Sequence, residues 1–425
     1  MMDPGLHHLR INAERFRRHF EVLARIGATP EGGIWRPALG ETDALARQWY
    51  RETIEAGGLT YTCDAAGNQS ALLHGDNNER PHLILGSHLD SVPNGGRFDG
   101  ALGVLAALEI LLTLKEAEYR PPLGLEAINF SDEEGYHVGT LGSRALAGKL
   151  VENDLQNPFR GLTAFDAGLA RLGLSRKTLF QARRPARGLA AFLELHIEQG
   201  PVLENAGVDI GVVAAIVGIG RLTLVFRGQS DHAGTTPMDL RRDAGAAAGD
   251  FTTTAWQALR GDFPDCVINI GDMRFRPGAF NVVPHTVELD LEFRAPDERQ
   301  LSRLQAALID LAKAVARDGR VELNPGPTEI TPAVRMDTRM QDLLVREARR
   351  LGLSHRRMSS GAGHDAQSFA DICPTGMIFI PSVAGCSHSP REYSEWVSCL
   401  NGVNVMLQSL LAMTETYRHQ GAILG

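Results

Sequence analysis

The sequence predicts an α/β protein in which a larger mixed-sheet domain is interrupted by a smaller open-faced sandwich. Three observations lead to this prediction. The 425 residues exceed the size that one hydrophobic core usually serves. Short apolar runs alternate with helical stretches near both ends of the chain, and the middle follows a different order. We therefore place the larger domain at residues 1–211 and 329–425 and the inserted domain at 212–328.

The larger domain begins with two helices. Residues 10–26 form an amphipathic pattern, and a second helix is expected from Thr42, as N-cap, to the stop at Gly57-Gly58. The apolar stretch 98–114 is too short to span a bilayer comfortably and predicts a buried core helix. The apolar runs expected to be strands are His82–Leu85, Leu125–Phe130, Ala191–Leu195 and Met377–Ile380.

The middle of the chain predicts a βαββαβ order, the ferredoxin-like open-faced sandwich with an antiparallel sheet. The expected strands lie in RLTLVFRG, CVINIGDMRF, HTVELDLEFR and RVEL, and the expected helices are Leu240–Leu259 and Glu298–Ala316.

Composition excludes several classes of protein. With 43% hydrophobic and 22% charged residues, a net charge of -8 and no Lys/Arg run, we expect no nucleic-acid partner. The five cysteines are widely spaced, with no CxxC pair, which argues against a disulfide framework and for a reducing compartment. The N-terminal residues have no apolar region of the kind a secretory signal needs. A cytoplasmic protein without a membrane partner is expected.

Potential metal ligands follow four of the predicted strands. In open α/β sheets the loops after the carboxyl ends of the strands converge on one crevice, so these side chains are expected to meet there. They are His88, the pair Glu133 and Glu134, His196 and His388.

Asp99 completes this set. It lies in the glycine-rich loop GGRFDGALG, ahead of the predicted core helix. Its two carboxylate oxygens can bridge two cations, and a mixture of imidazole and carboxylate suits Zn²⁺. Asp90, two residues after His88, is expected to accept the free N–H of that imidazole and to fix its tautomer.

Each of these residues, taken alone, has an ordinary structural explanation. A histidine near a strand end is usually a satisfied polar residue, a Glu-Glu pair after Ser131-Asp132 is usually a solvated helix start, and an aspartate in a glycine-rich loop usually serves the turn. Their joint placement at strand ends is what favours a shared site.

Longer motifs support this interpretation. GSHLDSVPNGGRFDGALGVLAALE, SDEEG, LHIEQGPVLE, DHAGTTPMDLRRDA, SGAGHDAQ and FIPSVAGCSHSP resemble, in the same order and over nearly the whole chain, the hydantoinase/carbamoylase amidase family. That family belongs to the superfamily of di-zinc aminoacylases and carboxypeptidases. Its members hydrolyse N-carbamoyl-L-amino acids, allantoate, ureidoglycolate or β-ureidopropionate.

The resemblance implies a di-zinc hydrolase domain with two divalent ions that share Asp99 as a bridge. One ion would be held by His88, Asp99 and His196, and the other by Asp99, Glu134 and His388. Zn²⁺ is expected, with Mn²⁺ or Co²⁺ as alternatives because such ligands select by availability as much as by affinity. Glu133 corresponds to the general base of the family.

The resemblance also implies a set of substrate-binding residues, namely Gln199, His232, Asn281, Arg294 and His364. A guanidinium such as that of Arg294 can grip a carboxylate through two hydrogen bonds, although a surface role at a strand end is its simpler explanation. His232 is expected to stabilise the oxyanion. A homodimer through the inserted domain, with closure over the substrate, is implied as well.

One loop departs from the family pattern. EEGYHVGTLGSRALAG has Tyr136 and His137 where relatives have Arg-Phe and a longer loop, and we interpret His137 as a loop residue. The substrate therefore stays open. An N-carbamoyl-L-amino acid is the first choice, allantoate or ureidoglycolate the second, and an aminoacylase or dipeptidase substrate follows. A non-catalytic metal-binding protein is the alternative of another class, and the presence of Glu133 argues against it.

Overall fold

The computed structural model describes residues 6–76 and 81–424. The chain forms two compact units, the first of Met1–Ala214, Met336–Met358 and Gly363–Gly425, the second of Ala215–Arg335 and Ser359–Ala362. The sequence had placed the end of the insertion at 328. The second unit runs further because the next short strand, Glu329–Thr331, pairs with a strand of that unit.

Helices and strands are numbered in chain order. The helices are α1 (Ala13–Leu23), α2 (Glu41–Ala56), α3 (Ala101–Glu116), α4 (Leu141–Ala147), α5 (Leu162–Arg171), α6 (Arg176–Leu179), α7 (Val202–Ala206), α8 (Ala244–Asp262), α9 (Glu298–Asp318), α10 (Thr338–Arg350) and α11 (Trp396–Gln420). The strands are β1 (Thr60–Cys63), β2 (Gln69–Leu73), β3 (His82–His88), β4 (Leu125–Phe130), β5 (Leu189–Ile197), β6 (Ile210–Ile216), β7 (Gly218–Arg227), β8 (Val267–Arg276), β9 (Thr286–Ala295), β10 (Glu322–Pro325), β11 (Glu329–Thr331), β12 (Val334–Arg335), β13 (His355–Ser360) and β14 (Thr375–Ile380).

A mixed sheet organises the first unit. Its strands follow the order β1-β2-β4-β3-β5-β14-β6-β12, and β13 also pairs with β6. The four strands that precede the candidate ligands, β4, β3, β5 and β14, are neighbours and run parallel. Their carboxyl ends therefore lie along one edge, as the predicted α/β fold requires.

Helix α3 is the predicted core helix, and all its residues from Ala101 to Leu114 are buried. Its one acidic residue in that stretch, Glu109, is balanced by Arg15 of α1, whose Nη2 lies 2.7 Å from Glu109 Oε1. Burial of this charge is tolerable because it is paired and hydrogen-bonded.

Helix α11 is the other long apolar helix. Of the helices in the described part of the chain, α11 alone is long and apolar enough to cross a membrane. However, 72% of its most apolar 18-residue segment is buried inside the fold. Such burial is typical of a core helix.

Two helix starts differ from the sequence predictions. Helix α2 begins at Glu41 with Gly40 as N-cap, and the hydroxyl of Thr42 donates instead to the carbonyl of Trp35 at 2.9 Å. Helix α8 begins at Ala244 rather than Leu240, because the side chain of Asp243 caps it by accepting from the backbone N–H groups of Gly245 and Ala246. The predicted N-cap at Thr42 was therefore wrong.

The second unit has the predicted βαββαβ order, from β7 through α8, β8, β9 and α9 to β10. Its sheet follows the order β10-β7-β9-β8, with β11 also on β7, and the pairings within it are antiparallel. Helices α8 and α9 share one hydrophobic core with one face of this sheet. The five cysteines all lie in the described residues and are free.

Candidate metal centre and active site

The candidate ligands of the first unit come together at the carboxyl edge of its sheet. Two groups of side chains each place their ligand atoms within 4.8 Å of one another. The first group is His88, Asp99 and His196, and the second is Asp99, Glu134 and His388. These are the two triads that the sequence motifs implied, and they share Asp99.

Asp99 has the geometry of a bridging ligand. Its Oδ1 lies 3.1 Å from Nε2 of His196 and 3.9 Å from Nε2 of His88. Its Oδ2 lies 3.1 Å from Nε2 of His388. Each oxygen thus faces a different group of ligands, and the side chain is 5% exposed.

Backbone carbonyls orient the two buried imidazoles. Nδ1 of His88 donates to the carbonyl of Asp90 at 3.0 Å, and Nδ1 of His196 donates to the carbonyl of Ile197 at 2.9 Å. Both rings therefore present Nε2 to the centre. Gly100 is required beside His88, because it has φ of +63° and a Cβ there would lie 2.4 Å from the imidazole.

Asp90 supports the centre differently from the prediction. Its carbonyl, not its carboxylate, accepts from His88, and Oδ1 lies 3.7 Å from that ring's Nδ1. The carboxylate accepts the backbone N–H groups of Glu133 at 3.3 Å and Glu134 at 3.1 Å. Asp90 therefore fixes both the imidazole and the turn that carries the glutamate pair.

The glutamate pair is buried among other acids. Oε2 of Glu133 lies 3.5 Å from Nε2 of His88, and Oε2 of Glu134 lies 3.7 Å from Nε2 of His388. Burial and the neighbouring carboxylates, first Asp365, raise the pKa of Glu133 well above its usual value. Burial, and next the negative charge of Asp99, likewise raise the pKa of Glu134 well above its usual value. Such a cluster of carboxylates is stabilised by positive charge placed among them.

Divalent cations fit this donor set. Oε1 of Glu134 and Oε1 of Gln199 are buried oxygens without a hydrogen-bond partner in the described residues. Buried oxygens of this kind are normally paired, and a cation would satisfy them. Imidazole and carboxylate together suit Zn²⁺ and its neighbours in the first transition row.

Gln199 contacts the bridge directly. Its Nε2 donates to Oδ2 of Asp99 at 3.1 Å and to Oγ of Ser387 at 3.2 Å, and its backbone has φ of +59°. Strained backbone of this kind is found mainly where function needs it. These contacts hold Asp99 in place.

His364 lies behind His196. The two ring centroids are 4.5 Å apart, and burial together with the neighbouring His196 lowers the pKa of His364 well below its usual value. Glu194 joins these two histidines in a further buried group with ligand atoms within 4.8 Å. Its carboxylate accepts from Oγ of Ser87 at 2.8 Å and from the backbone N–H of Ala366 at 2.9 Å.

Glu392 and Ser387 were missed at the sequence level. Oε1 of Glu392 accepts the backbone N–H groups of Phe98 at 2.8 Å and Asp99 at 3.0 Å, and Oε2 accepts from Oγ of Ser387 at 2.8 Å. The signal was an acidic residue four positions after His388, in HSPRE.

Three predicted site residues belong to the second unit. His232 and Asn281 are exposed and lie on adjacent segments, since the N–H of Ala233 donates to the carbonyl of Asn281 at 3.0 Å. Arg294 of β9 is 31% exposed, and its Nη2 lies 2.6 Å from Oε1 of Glu292.

The loop that departs from the family pattern is internally organised. The carboxylate of Asp132 accepts the N–H groups of His137 at 3.1 Å and Val138 at 2.7 Å. The ring of Tyr136 lies 5.6 Å from that of Trp35, and the ring of His137 lies 5.2 Å from that of Phe165. His137 is a packed loop residue in this arrangement.

A dinuclear ligand set with an adjacent buried glutamate, at the carboxyl edge of a parallel run of strands, defines a metal-dependent hydrolase. The comparisons agree with this class. The sequence profile of Peptidase family M20/M25/M40 matches residues 84–412, and the chain belongs to that family.

Individual relatives are similar over nearly their whole length. The N-carbamoyl-L-amino-acid amidohydrolase of Paenarthrobacter aurescens is 36% identical, with 95% of this chain and 98% of the relative covered. The ureidoglycolate hydrolase of Arabidopsis thaliana is 33% identical, with 96% and 87% covered. The crystal structure of a hydantoinase/carbamoylase family amidase from Burkholderia multivorans has a TM-score of 0.88 at 33% identity, with 95% and 98% covered. The predicted resemblance is thereby confirmed.

Proposed function

We propose that this chain is an amidohydrolase that cleaves the ureido C–N bond of an N-carbamoyl-L-amino acid and releases the amino acid, ammonia and carbon dioxide. The observation that carries this proposal is the pair of ligand triads that share Asp99, with Glu133 beside them. The similarity to the Paenarthrobacter aurescens enzyme supports the choice of substrate.

Glu133 is the general base in the proposed reaction. It takes a proton from the attacking water, the water oxygen bonds to the ureido carbonyl carbon, and Glu133 then returns the proton to the leaving nitrogen as the C–N bond breaks. The carboxylate of Asp90 keeps Glu133 in place by accepting the backbone N–H of Glu133. Divalent cations in the two triads supply Lewis-acid polarisation of the carbonyl and a water that ionises near neutral pH.

We assign the recognition of the substrate carboxylate to Arg294, and oxyanion stabilisation to His232, with Asn281, Gln199 and His364 completing the binding site. Arg294 is paired with Glu292, so binding would require the guanidinium to exchange that partner for the substrate. His232 is exposed and therefore accessible to a ligand.

Three further proposals accompany the reaction. The ions are Zn²⁺, with Mn²⁺ or Co²⁺ as alternatives, and elemental analysis of protein purified without added metal decides among them. The protein is cytoplasmic. It forms a homodimer through the second unit, which light scattering at several concentrations would test. The apolar side chains of Met238, Leu240 and Phe280 in that unit are largely exposed and would be covered in such a dimer.

A second candidate is the hydrolysis of ureidoglycolate or allantoate. The similarity to the Arabidopsis thaliana ureidoglycolate hydrolase favours it.

A panel assay tests the proposal. The metal-loaded protein is incubated with several N-carbamoyl-L-amino acids, allantoate, ureidoglycolate, β-ureidopropionate and an N-acetyl amino acid, and ammonia and the organic product are measured. The highest kcat/KM is expected for an N-carbamoyl-L-amino acid. A preference for ureidoglycolate or allantoate selects the second candidate, and no turnover of any ureido compound contradicts both.

A further inference from the structure

The two positions of the metal centre are held in different ways. His88 and His196 are each 1% exposed, and a backbone carbonyl fixes each ring through Nδ1. His388 is 52% exposed and follows β14 in a loop, where its backbone has φ of +52°. Two ligands of the position formed by His88, Asp99 and His196 therefore lie on strands, His88 on β3 and His196 on β5, whereas the orientation of His388 depends on its loop.

Glu392 connects that loop to the bridging ligand. One carboxylate oxygen accepts from the backbone of Phe98 and Asp99, and the other accepts from Ser387, the residue before His388. The hydrogen bond from Asp99 joins residues 293 positions apart in the chain. Glu392 is 4% exposed, so water does not replace these bonds readily when they are lost.

The packing around Glu392 leaves it little freedom. A Cβ on Gly96 would lie 1.9 Å from the carboxyl carbon of Glu392, so the glycine-rich loop and this side chain are in direct contact. Ser387 also accepts from Gln199, which itself donates to Asp99. The contacts that orient Asp99 and the His388 loop therefore meet at Glu392 and Ser387.

We propose that Glu392 is the positioning residue of the second metal position, formed by Asp99, Glu134 and His388, and that this position loses its ion first when Glu392 is altered. The inference rests on the proposed two-metal function. Without Glu392, the amides of Phe98 and Asp99 lose their acceptor and Ser387 loses its anchor, so His388 loses its orientation. His88 and His196 keep their own carbonyl partners.

The test measures metal binding by the full-length protein. Apoprotein of the wild type, Glu392→Gln, Glu392→Ala and Ser387→Ala is titrated with Zn²⁺ in competition with a chromophoric chelator. The wild type should bind two ions. Each variant should keep one tight ion and bind the second about 10- to 100-fold more weakly, the range typical for loss of an outer hydrogen-bond partner. Raising free Zn²⁺ should restore kcat in Glu392→Gln.

A matched control separates positioning from general destabilisation. Glu109→Gln removes another buried, hydrogen-bonded carboxylate, one that bonds α1 instead of the metal centre. It should lower the thermal midpoint without changing either ion affinity. Equal weakening of both ions in the Glu392 variants, or no weakening, would overturn the inference while leaving a two-metal wild type intact. Fewer than two ions in the wild type would overturn the proposed function as well.

Discussion

At the scale of single residues, identity and spacing placed the ligands, while hydrogen-bond partners had to come from the structure. His88 and His196 lie at or near the carboxyl ends of strands β3 and β5, and a strand end fixes where a residue lies to within a few ångströms. Asp90 shows the limit. Whether its carbonyl or its carboxylate meets His88 depends on the path of one turn, which a sequence pattern does not specify. For the same reason the contact between Gln199 and Asp99 was not foreseen.

Glu133→Gln should separate metal binding from catalysis. The amide keeps the size of the side chain but cannot take up a proton from water, so turnover should fall by on the order of a hundredfold or more. Metal content should stay at the wild-type value, since Glu133 belongs to neither triad. Steady-state kinetics and elemental analysis check both statements. Unchanged kcat would remove Glu133 from the mechanism.

Gly100→Ala should damage the metal centre beyond its effect on the backbone. The new Cβ would lie 2.4 Å from the His88 ring, and φ is +63°. Gly161→Ala is the matched control, because Gly161 has φ of +79° and nothing within 4 Å of an added Cβ. Both variants should lose about 1 kcal/mol or more of unfolding free energy from backbone strain. Zn²⁺ affinity should fall in Gly100→Ala alone, and equal affinities in the two variants would contradict the argument.

At the scale of elements, the buried helix α3 and the parallel strands could be predicted, because a continuous apolar run is compatible with few secondary structures. The ends of helices were harder to predict. The sequence offered Thr42 as an N-cap, but its hydroxyl serves the carbonyl of Trp35, and the helix begins at Glu41. A side chain that can cap a helix can also bond elsewhere, and tertiary contacts decide between the two.

The contact between α1 and α3 should contribute strongly to stability. Arg15→Met leaves the carboxylate of Glu109 buried without its cation, at 1% exposure. The loss in unfolding free energy should be about 3 kcal/mol, the usual result of breaking a buried ion pair from one side. Arg17→Met is the control, because the pair of Arg17 with Glu21 is exposed, and should cost less than about 1 kcal/mol. Urea unfolding of both variants measures the difference, and similar losses would refute it.

At the scale of the whole molecule, the insertion of one unit into another was predicted from the change in element order. The end of the insertion was not. Strands β11 and β12 are three and two residues long, which is too short for a hydrophobic period to register. The pairing of β11 with β7 extends the sheet of the second unit, whereas β12 pairs with β6 at the edge of the mixed sheet. Pairings between residues so far apart in the chain do not show in a local sequence pattern.

Acid should destabilise the fold in part through Glu126 of β4. Burial alone would raise its pKa, but hydrogen bonds from His82, Arg184 and Ser70 lower it to about 2 from the usual 4.5. The ionised form therefore stabilises the folded protein above pH 4.5, and this contribution is lost as the pH falls towards 2. Its full size is about 3 kcal/mol.

The variant Glu126→Gln tests this dependence. It should be less stable than the wild type at pH 7, and the difference should shrink steadily below pH 4.5, as measured by urea unfolding at a series of pH values. A difference that does not change with pH would show that the charge of Glu126 contributes nothing.

The interruption of the first unit also sets an order of events during synthesis. Strand β14 follows the inserted unit in the chain, yet it pairs with β5, which precedes that unit. His196 of β5 therefore leaves the ribosome long before His388, and the second triad has no third ligand until then. The inserted unit has its own hydrophobic core, so it can fold before the first unit is complete. A nascent chain halted before residue 375 would carry an unpaired edge at β5, a target for chaperones.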